Sequence, residues 1–152
     1  MKNIKARLLL VAVFAAATLC ARGQEKPKLP PHGQPGQQGF RRAQLPDGVK
    51  ALRDVEYVPG GGKSRSLDLF LPESAKPLPL VVWIHGGAWR AGSKAFCPGL
   101  PLTGHGFAVA SLNYRLTDEA VFPAQLDDCR AALRFLCANA KKYNLDAGHV
   151  GV

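Results

Sequence analysis

Hydrophobic positions along this chain change period several times, and each change marks an element. Leu80–Ile84 is a short, uninterrupted apolar run that breaks into His85-Gly86-Gly87-Ala88-Trp89. A run this short, bounded by paired glycines, predicts a buried strand feeding a tight turn. Phe107–Leu112 repeats the pattern after the turn Gly104-His105-Gly106 and predicts a second buried strand. Continuous apolar character implies strands covered on both faces, as in a parallel sheet. Upstream, Leu52–Val58 has strand character, and Pro59-Gly60-Gly61-Gly62 is a strong turn signal. Ser66–Leu71 sets Ser66, Asp68 and Phe70 against Leu67, Leu69 and Leu71, which predicts an antiparallel hairpin with one buried face.

The pattern changes to a helical period over Pro123–Lys142. Leu126, Cys129, Leu133, Leu136 and Cys137 fall on one stripe at spacings of three and four. Asp127 and Asp128 stand in the early turns and Lys141 and Lys142 at the end, matching the helix dipole. Ser93–Thr103 predicts a short helix interrupted by Pro98 and Pro101, Asn144–Gly148 a turn, and His149–Val152 the start of another strand. The order is β-β-β-(α)-β-α-β: an antiparallel hairpin leading into a doubly wound, mostly parallel sheet, of class α/β. A sheet that stops inside a strand predicts that this is an N-terminal fragment, with the second half of the fold lying past Val152.

Three segments are expected. Residues 1–23 combine Lys2, Lys5 and Arg7 with an apolar run, Leu8–Leu19, and read as a signal peptide. The run is shorter than the roughly 20 residues of a membrane span, so a secreted or periplasmic location is expected. The alternative is a lipid anchor on Cys20, against which Leu19 argues, because the residue before a lipidated cysteine is normally small. Residues 24–49, rich in Pro, Gly and Gln, read as a disordered linker, and residues 50–152 as the folded domain.

The net charge of +9 suggests a polyanion partner until its location is considered. Residues 51–152 hold eleven basic and nine acidic side chains, so most of the excess lies in the leader and linker. With no basic face on the folded part, no nucleic-acid partner is expected. Cys129 and Cys137 lie about 12 Å apart along a helix, too far for a disulfide, which needs Cα atoms within about 7 Å. Cys97 either pairs with one of them or serves, like them, as a small buried hydrophobe. No Cys-x-x-Cys or His-Glu-x-x-His spacing occurs, and neither metal nor cofactor is expected.

Taken together, the strand ending in His85-Gly86-Gly87-Ala88-Trp89, the later Asn113-Tyr114-Arg115-Leu116, the helix start Phe122-Pro123-Ala124 and the closing His149-Val150-Gly151-Val152 resemble the α/β-hydrolase superfamily. The likeness is to its esterase and lipase branch, in particular the group of bacterial feruloyl and acetyl xylan esterases and kynurenine formamidases, and it covers about residues 50–152. It implies an exported serine carboxylesterase acting on small-molecule or carbohydrate-linked esters. It also implies that Gly86 and Gly87, with Ala88 contributing, offer backbone N–H groups to an oxyanion. His85 then supports the loop and is not the catalytic base, which in this family lies near the C-terminus. Trp89 lines a substrate pocket or anchors the loop. Tyr114 and Arg115 follow a strand end, where they contact substrate or, for Arg115, pair with Asp118 or a neighbouring acid.

The chain departs from the family in lacking a Gly-x-Ser-x-Gly elbow. Ser64, Ser66, Ser74, Ser93 and Ser111 all lack the flanking glycines. No triad member is expected among these residues, and the 152-residue chain alone is expected to be inactive and poorly folded. The alternative function is a non-catalytic hydrolase-like binding domain that keeps the pocket without a triad.

Overall fold

The computed structural model describes residues 44–152. The expected signal peptide, Cys20 and most of the expected linker lie outside the described residues. The elements are β1 (Val49–Glu56), β2 (Ser66–Pro72), β3 (Leu78–Ile84), β4 (Ala108–Leu112), α1 (Ala124–Ala138), α2 (Ala140–Tyr143) and β5 (Leu145–Gly151), with 3-10 turns at Lys63–Arg65 and Leu100–His105. The strands form one sheet in the order β1-β2-β4-β3-β5. β2 is antiparallel to β1 and to β4, whereas β3 runs parallel to both β4 and β5. Among the described residues, no helix is long and apolar enough to cross a membrane.

The crossovers cover opposite faces of the sheet. One face carries Leu67, Leu69, Leu80, Val82, Ala110 and Leu112, packed with Ala132 and Leu136 of α1. The other carries Phe70 and Val109, packed with Cys97 and Leu100 from the β3–β4 connection. Strand order reverses about β3, which has β4 on one side and β5 on the other. At such a reversal, open α/β sheets leave a ligand crevice beyond the carboxyl ends of the strands. The His85–Trp89 turn leaves β3 at that place.

Several details differ from the expectation. In β2 every residue from Ser66 to Phe70 is buried, where one buried face is predicted. The strand lies inside the sheet, and its polar residues are satisfied: Ser66 donates from Oγ to the Lys63 carbonyl, and Asp68 receives three donors. β4 is covered on both faces as predicted, but in β3 only Leu78, Leu80 and Val82 are buried.

The helix prediction needs two corrections. The buried stripe of α1 is Gln125, Asp128, Ala132 and Leu136, while Leu126 and Cys137 are exposed. Hydrophobic periodicity counts Leu and Cys but not polar groups whose bonds are made within the fold. Here Gln125 donates from Nε2 to the Ala120 carbonyl, and Asp128 accepts from Arg115. The helix also breaks at Asn139, which donates from Nδ2 to the Phe135 carbonyl, before α2 ends on left-handed Asn144 (φ 53°). In the β3–β4 connection the 3-10 segment Leu100–His105 replaces the predicted Ser93–Thr103 helix. The predicted 144–148 turn is a register shift within β5, where Asp146 Oδ1 accepts the Gly148 N–H. Cys97, Cys129 and Cys137 are all free thiols, Cys97 being buried.

Candidate active-site loop

The loop after β3 doubles back on itself. The Gly87 carbonyl accepts hydrogen bonds from the N–H groups of Arg90 (3.0 Å) and Ala91 (3.2 Å). Between them, Ala88 (φ 52°) and Trp89 (φ 62°) are both left-handed, as the central residues of a mirror-image turn must be. Such turns normally carry Asn or Gly, and each non-glycine residue held there costs about 1 kcal/mol or more. Gly87 (φ 121°) has no alternative, since a Cβ there would overlap the Ala91 carbonyl. Gly86 differs: a Cβ built on it meets nothing within 4 Å. The loop therefore keeps open space over Gly86 and tight backbone packing at Gly87. Among the described residues, nothing accepts a hydrogen bond from the N–H of Gly87 or Ala88, so both donors remain available.

The segment after β4 clamps this strained turn. Tyr114, 3% exposed, donates from its hydroxyl to the His85 carbonyl at 2.8 Å. Its ring stacks on the His85 imidazole at 4.4 Å between centroids. The Thr117 N–H donates to the Trp89 carbonyl at 2.9 Å, and the Trp89 ring stacks on Phe122 at 5.7 Å. Arg115 ties the clamp to α1: its N–H and Nε donate to Asp128 Oδ2, and its Nη2 to Oδ1. Of the pairings open in the sequence, Asp118 or a neighbouring acid, the partner is Asp128, thirteen residues on.

His85 is buried, and its Nδ1 lies 2.8 Å from the Gly86 carbonyl. A carbonyl only accepts, so Nδ1 carries the proton and Nε2 is the bare nitrogen. Burial pushes the imidazole pKa down, and the bond to the Gly86 carbonyl offsets part of that. The ring is neutral at neutral pH, a fixed spacer between the loop backbone and Tyr114.

The expected residues therefore separate by surroundings. Gly86, Gly87 and Ala88 form the open turn, His85 and Tyr114 lie stacked beneath it, and Trp89 is half exposed against Phe122. A cleft of about 180 Å³ beside His85 and Tyr114 is also lined by Gly92, Ser64 and Glu119. A larger apolar cavity of about 390 Å³, at Phe96, Cys97 and Leu100, includes no residue of the His85–Gly92 loop.

Three contributors escape sequence reasoning. Gly92 (φ 102°) is required because a Cβ would run into the His85 ring and the Gly86 carbonyl. Lys94, 6% exposed, reaches Asp68, which is fully buried. Burial pushes the Asp68 pKa up, but the hydrogen bonds from Lys94, the Asp54 N–H and Arg53 outweigh it and hold the carboxyl below its usual 3.8. Only the glycine left a signal, as the third glycine of the His85–Gly92 loop.

Comparison with known proteins adds independent findings. Residues 67–152 match the BD-FAE family. The chain is 27% identical over 134 residues to Esterase LipI of Mycobacterium tuberculosis, covering 73% of this chain and 42% of that one. Among solved structures it resembles a bifunctional GH43-CE protein of Bacteroides eggerthii, at 42% identity and TM-score 0.61, covering 66% of this chain and 15% of that one. It also resembles a truncated carbohydrate esterase from gut microbiota, at 37% identity and TM-score 0.62, covering 67% of this chain and 38% of that one. The chain thus spans less than half the length of these relatives.

Proposed function

Because this chain belongs to the BD-FAE family of the α/β-hydrolase superfamily, we propose that it supplies the oxyanion-loop half of an exported serine esterase that hydrolyses carboxylic esters. The observation that carries the reading is the open turn at Gly86-Gly87-Ala88. Two backbone donors that have no acceptor among the described residues sit at the strand reversal, in a turn bonded to the segment after β4.

In the proposed reaction a serine oxygen attacks the ester carbonyl, and the former carbonyl oxygen takes up negative charge. The Gly87 and Ala88 N–H groups donate to that oxygen as it becomes tetrahedral. Losing one such donor costs about 3 to 4 kcal/mol of transition-state stabilisation. The alcohol leaves, and water releases the acid from the acyl-enzyme. In this reading the nucleophile, acid and base come from polypeptide following Val152, the substrates are acylated carbohydrates or small acyl esters, and Trp89 with Phe122 meets one side of the ester. Export rests on the N-terminal pattern of residues 1–23.

The test is to read the coding sequence past Val152 and assay its full product. The reading expects a Gly-x-Ser-x-Gly within about ten codons, since the elbow follows directly on this strand, and p-nitrophenyl acetate turnover that is lost when that serine becomes alanine. A full product with neither elbow nor turnover sinks it and leaves a binding domain.

A further inference from the structure

We infer that Lys94 is a positioning residue for this loop, fastening its far end to two neighbouring strands. The inference rests on the oxyanion reading above for its catalytic consequence, but its structural part stands separately. The excursion leaves the sheet at Ile84, is held in its middle by the Thr117 bond to the Trp89 carbonyl, and returns to the sheet at Lys94. Between these points Gly87, Ala88, Trp89 and Gly92 all have positive φ. Backbone in such sparsely populated conformations persists only where its surroundings over-determine it. The near end is held by β3 and by the Tyr114 bond to the His85 carbonyl. The far end is tied to the sheet through Lys94.

Lys94 uses every polar group it has. Its N–H donates to Asn113 Oδ1 at 2.7 Å, and its carbonyl accepts from Ser111 Oγ at 3.0 Å. Its ammonium donates to Asp68 Oδ1 and, at 2.7 Å, to Asp54 Oδ1. Asp68 on β2 and Ser111 on β4 are register partners, so the lysine is fixed to one rung shared by two adjacent strands. Asp68 also accepts from Arg53 Nη1 and the Asp54 N–H, the latter at the irregularity in β1 where Asp54 is itself left-handed (φ 53°).

Burying a lysine is costly unless it is paired, and well-packed apolar residues often give equal stability. An apolar residue, however, would not reach from the loop end to a carboxylate beneath the sheet surface, nor fix direction by hydrogen bonds. What the buried ammonium contributes is location: it sets where the loop re-enters, and hence the aim of the Gly87 and Ala88 N–H groups.

The experiment uses Lys94→Met, Lys94→Arg and Ser111→Ala in the product of the full reading frame. It reads amide hydrogen exchange over residues 86–92 against residues 107–112, together with kcat and KM for p-nitrophenyl acetate. In Lys94→Met, exchange over 86–92 should rise at least about tenfold with 107–112 little changed. There kcat should fall about 10- to 100-fold, the scale of a misplacement near 1 Å, with KM within about threefold of wild type. Lys94→Arg should recover part of both effects, and Ser111→Ala should give the same pattern more weakly. Exchange and kcat within about twofold of wild type would overturn the inference. So would protection lost equally over both segments in Lys94→Met and Ser111→Ala, which would make the cluster a prop of general stability. Wild-type protein without esterase turnover defeats the functional reading alone, and the exchange comparison still decides whether Lys94 anchors the loop.

Discussion

The two adjacent glycines make opposite demands, and exchanging each for alanine separates them. At Gly87, φ is 121° and the new Cβ would overlap the Ala91 carbonyl, so backbone must move. Forcing a side chain into a left-handed position costs about 1 to 2 kcal/mol. If the turn opens to relieve the overlap, the two bonds accepted by the Gly87 carbonyl are lost as well, at about 0.5 to 1.5 kcal/mol each. Gly87→Ala should therefore destabilise by about 2 to 5 kcal/mol. At Gly86 φ is not positive and nothing lies within 4 Å of the added carbon, so Gly86→Ala should leave stability within about 0.5 kcal/mol of wild type. Urea unfolding checks this: a lowered midpoint at unchanged slope for Gly87→Ala, and an unshifted midpoint for Gly86→Ala. Activity should divide differently: in the proposed reaction the ester approaches over Gly86, so a methyl group there should lower kcat/KM without touching the fold. Equal midpoints for the two variants would refute the geometry assigned to the turn.

Three further outcomes follow from the same structure. Ala88→Gly removes a side chain from a left-handed position (φ 52°) and should raise stability by up to about 1 kcal/mol, read as a higher unfolding midpoint; a lower midpoint contradicts the strain assigned there. Asp68 is held below its usual pKa of 3.8 in the folded state, so its stabilising contribution is present above that value and is lost as pH falls through the lower, folded-state value; acid unfolding should accordingly be shallower in Asp68→Asn than in wild type. Cys137 is exposed, whereas Cys97 is buried with its thiol pKa pushed up by burial, so a thiol reagent at pH 8 should label Cys137 in the folded protein and Cys97 only on unfolding.

What could be read from the sequence depended on how far apart the interacting residues are. The turn at His85–Trp89 announces itself because a buried strand and two glycines are contiguous, and local backbone chemistry suffices. The hairpin, the buried β4 and the main helix are visible for the same reason. The clamp is only half visible: Tyr114 and Arg115 stand at a strand end, but the partner of Arg115 lies thirteen residues away, on a helix where Asp128 is more simply read as dipole pairing. The Lys94 anchor is invisible, since a lysine in a polar loop reads as solvated until Asp68, twenty-six residues earlier, is brought beneath it by strand order. The same blindness rotated the predicted face of α1, where Asp128 is buried against Arg115 and Gln125 is buried with its Nε2 bonded to the Ala120 carbonyl ahead of the helix.

In the proposed reaction the Gly87 and Ala88 N–H groups receive the developing oxyanion. The most direct measurement is a crystal structure of the full product treated with a p-nitrophenyl alkylphosphonate, whose phosphonyl oxygen, once bound to the nucleophile, stands where the oxyanion forms. That oxygen should lie about 2.7 to 3.1 Å from at least one of these two nitrogens, with the turn unchanged. A covalent adduct whose phosphonyl oxygen is held elsewhere, with both N–H groups facing solvent, would contradict it.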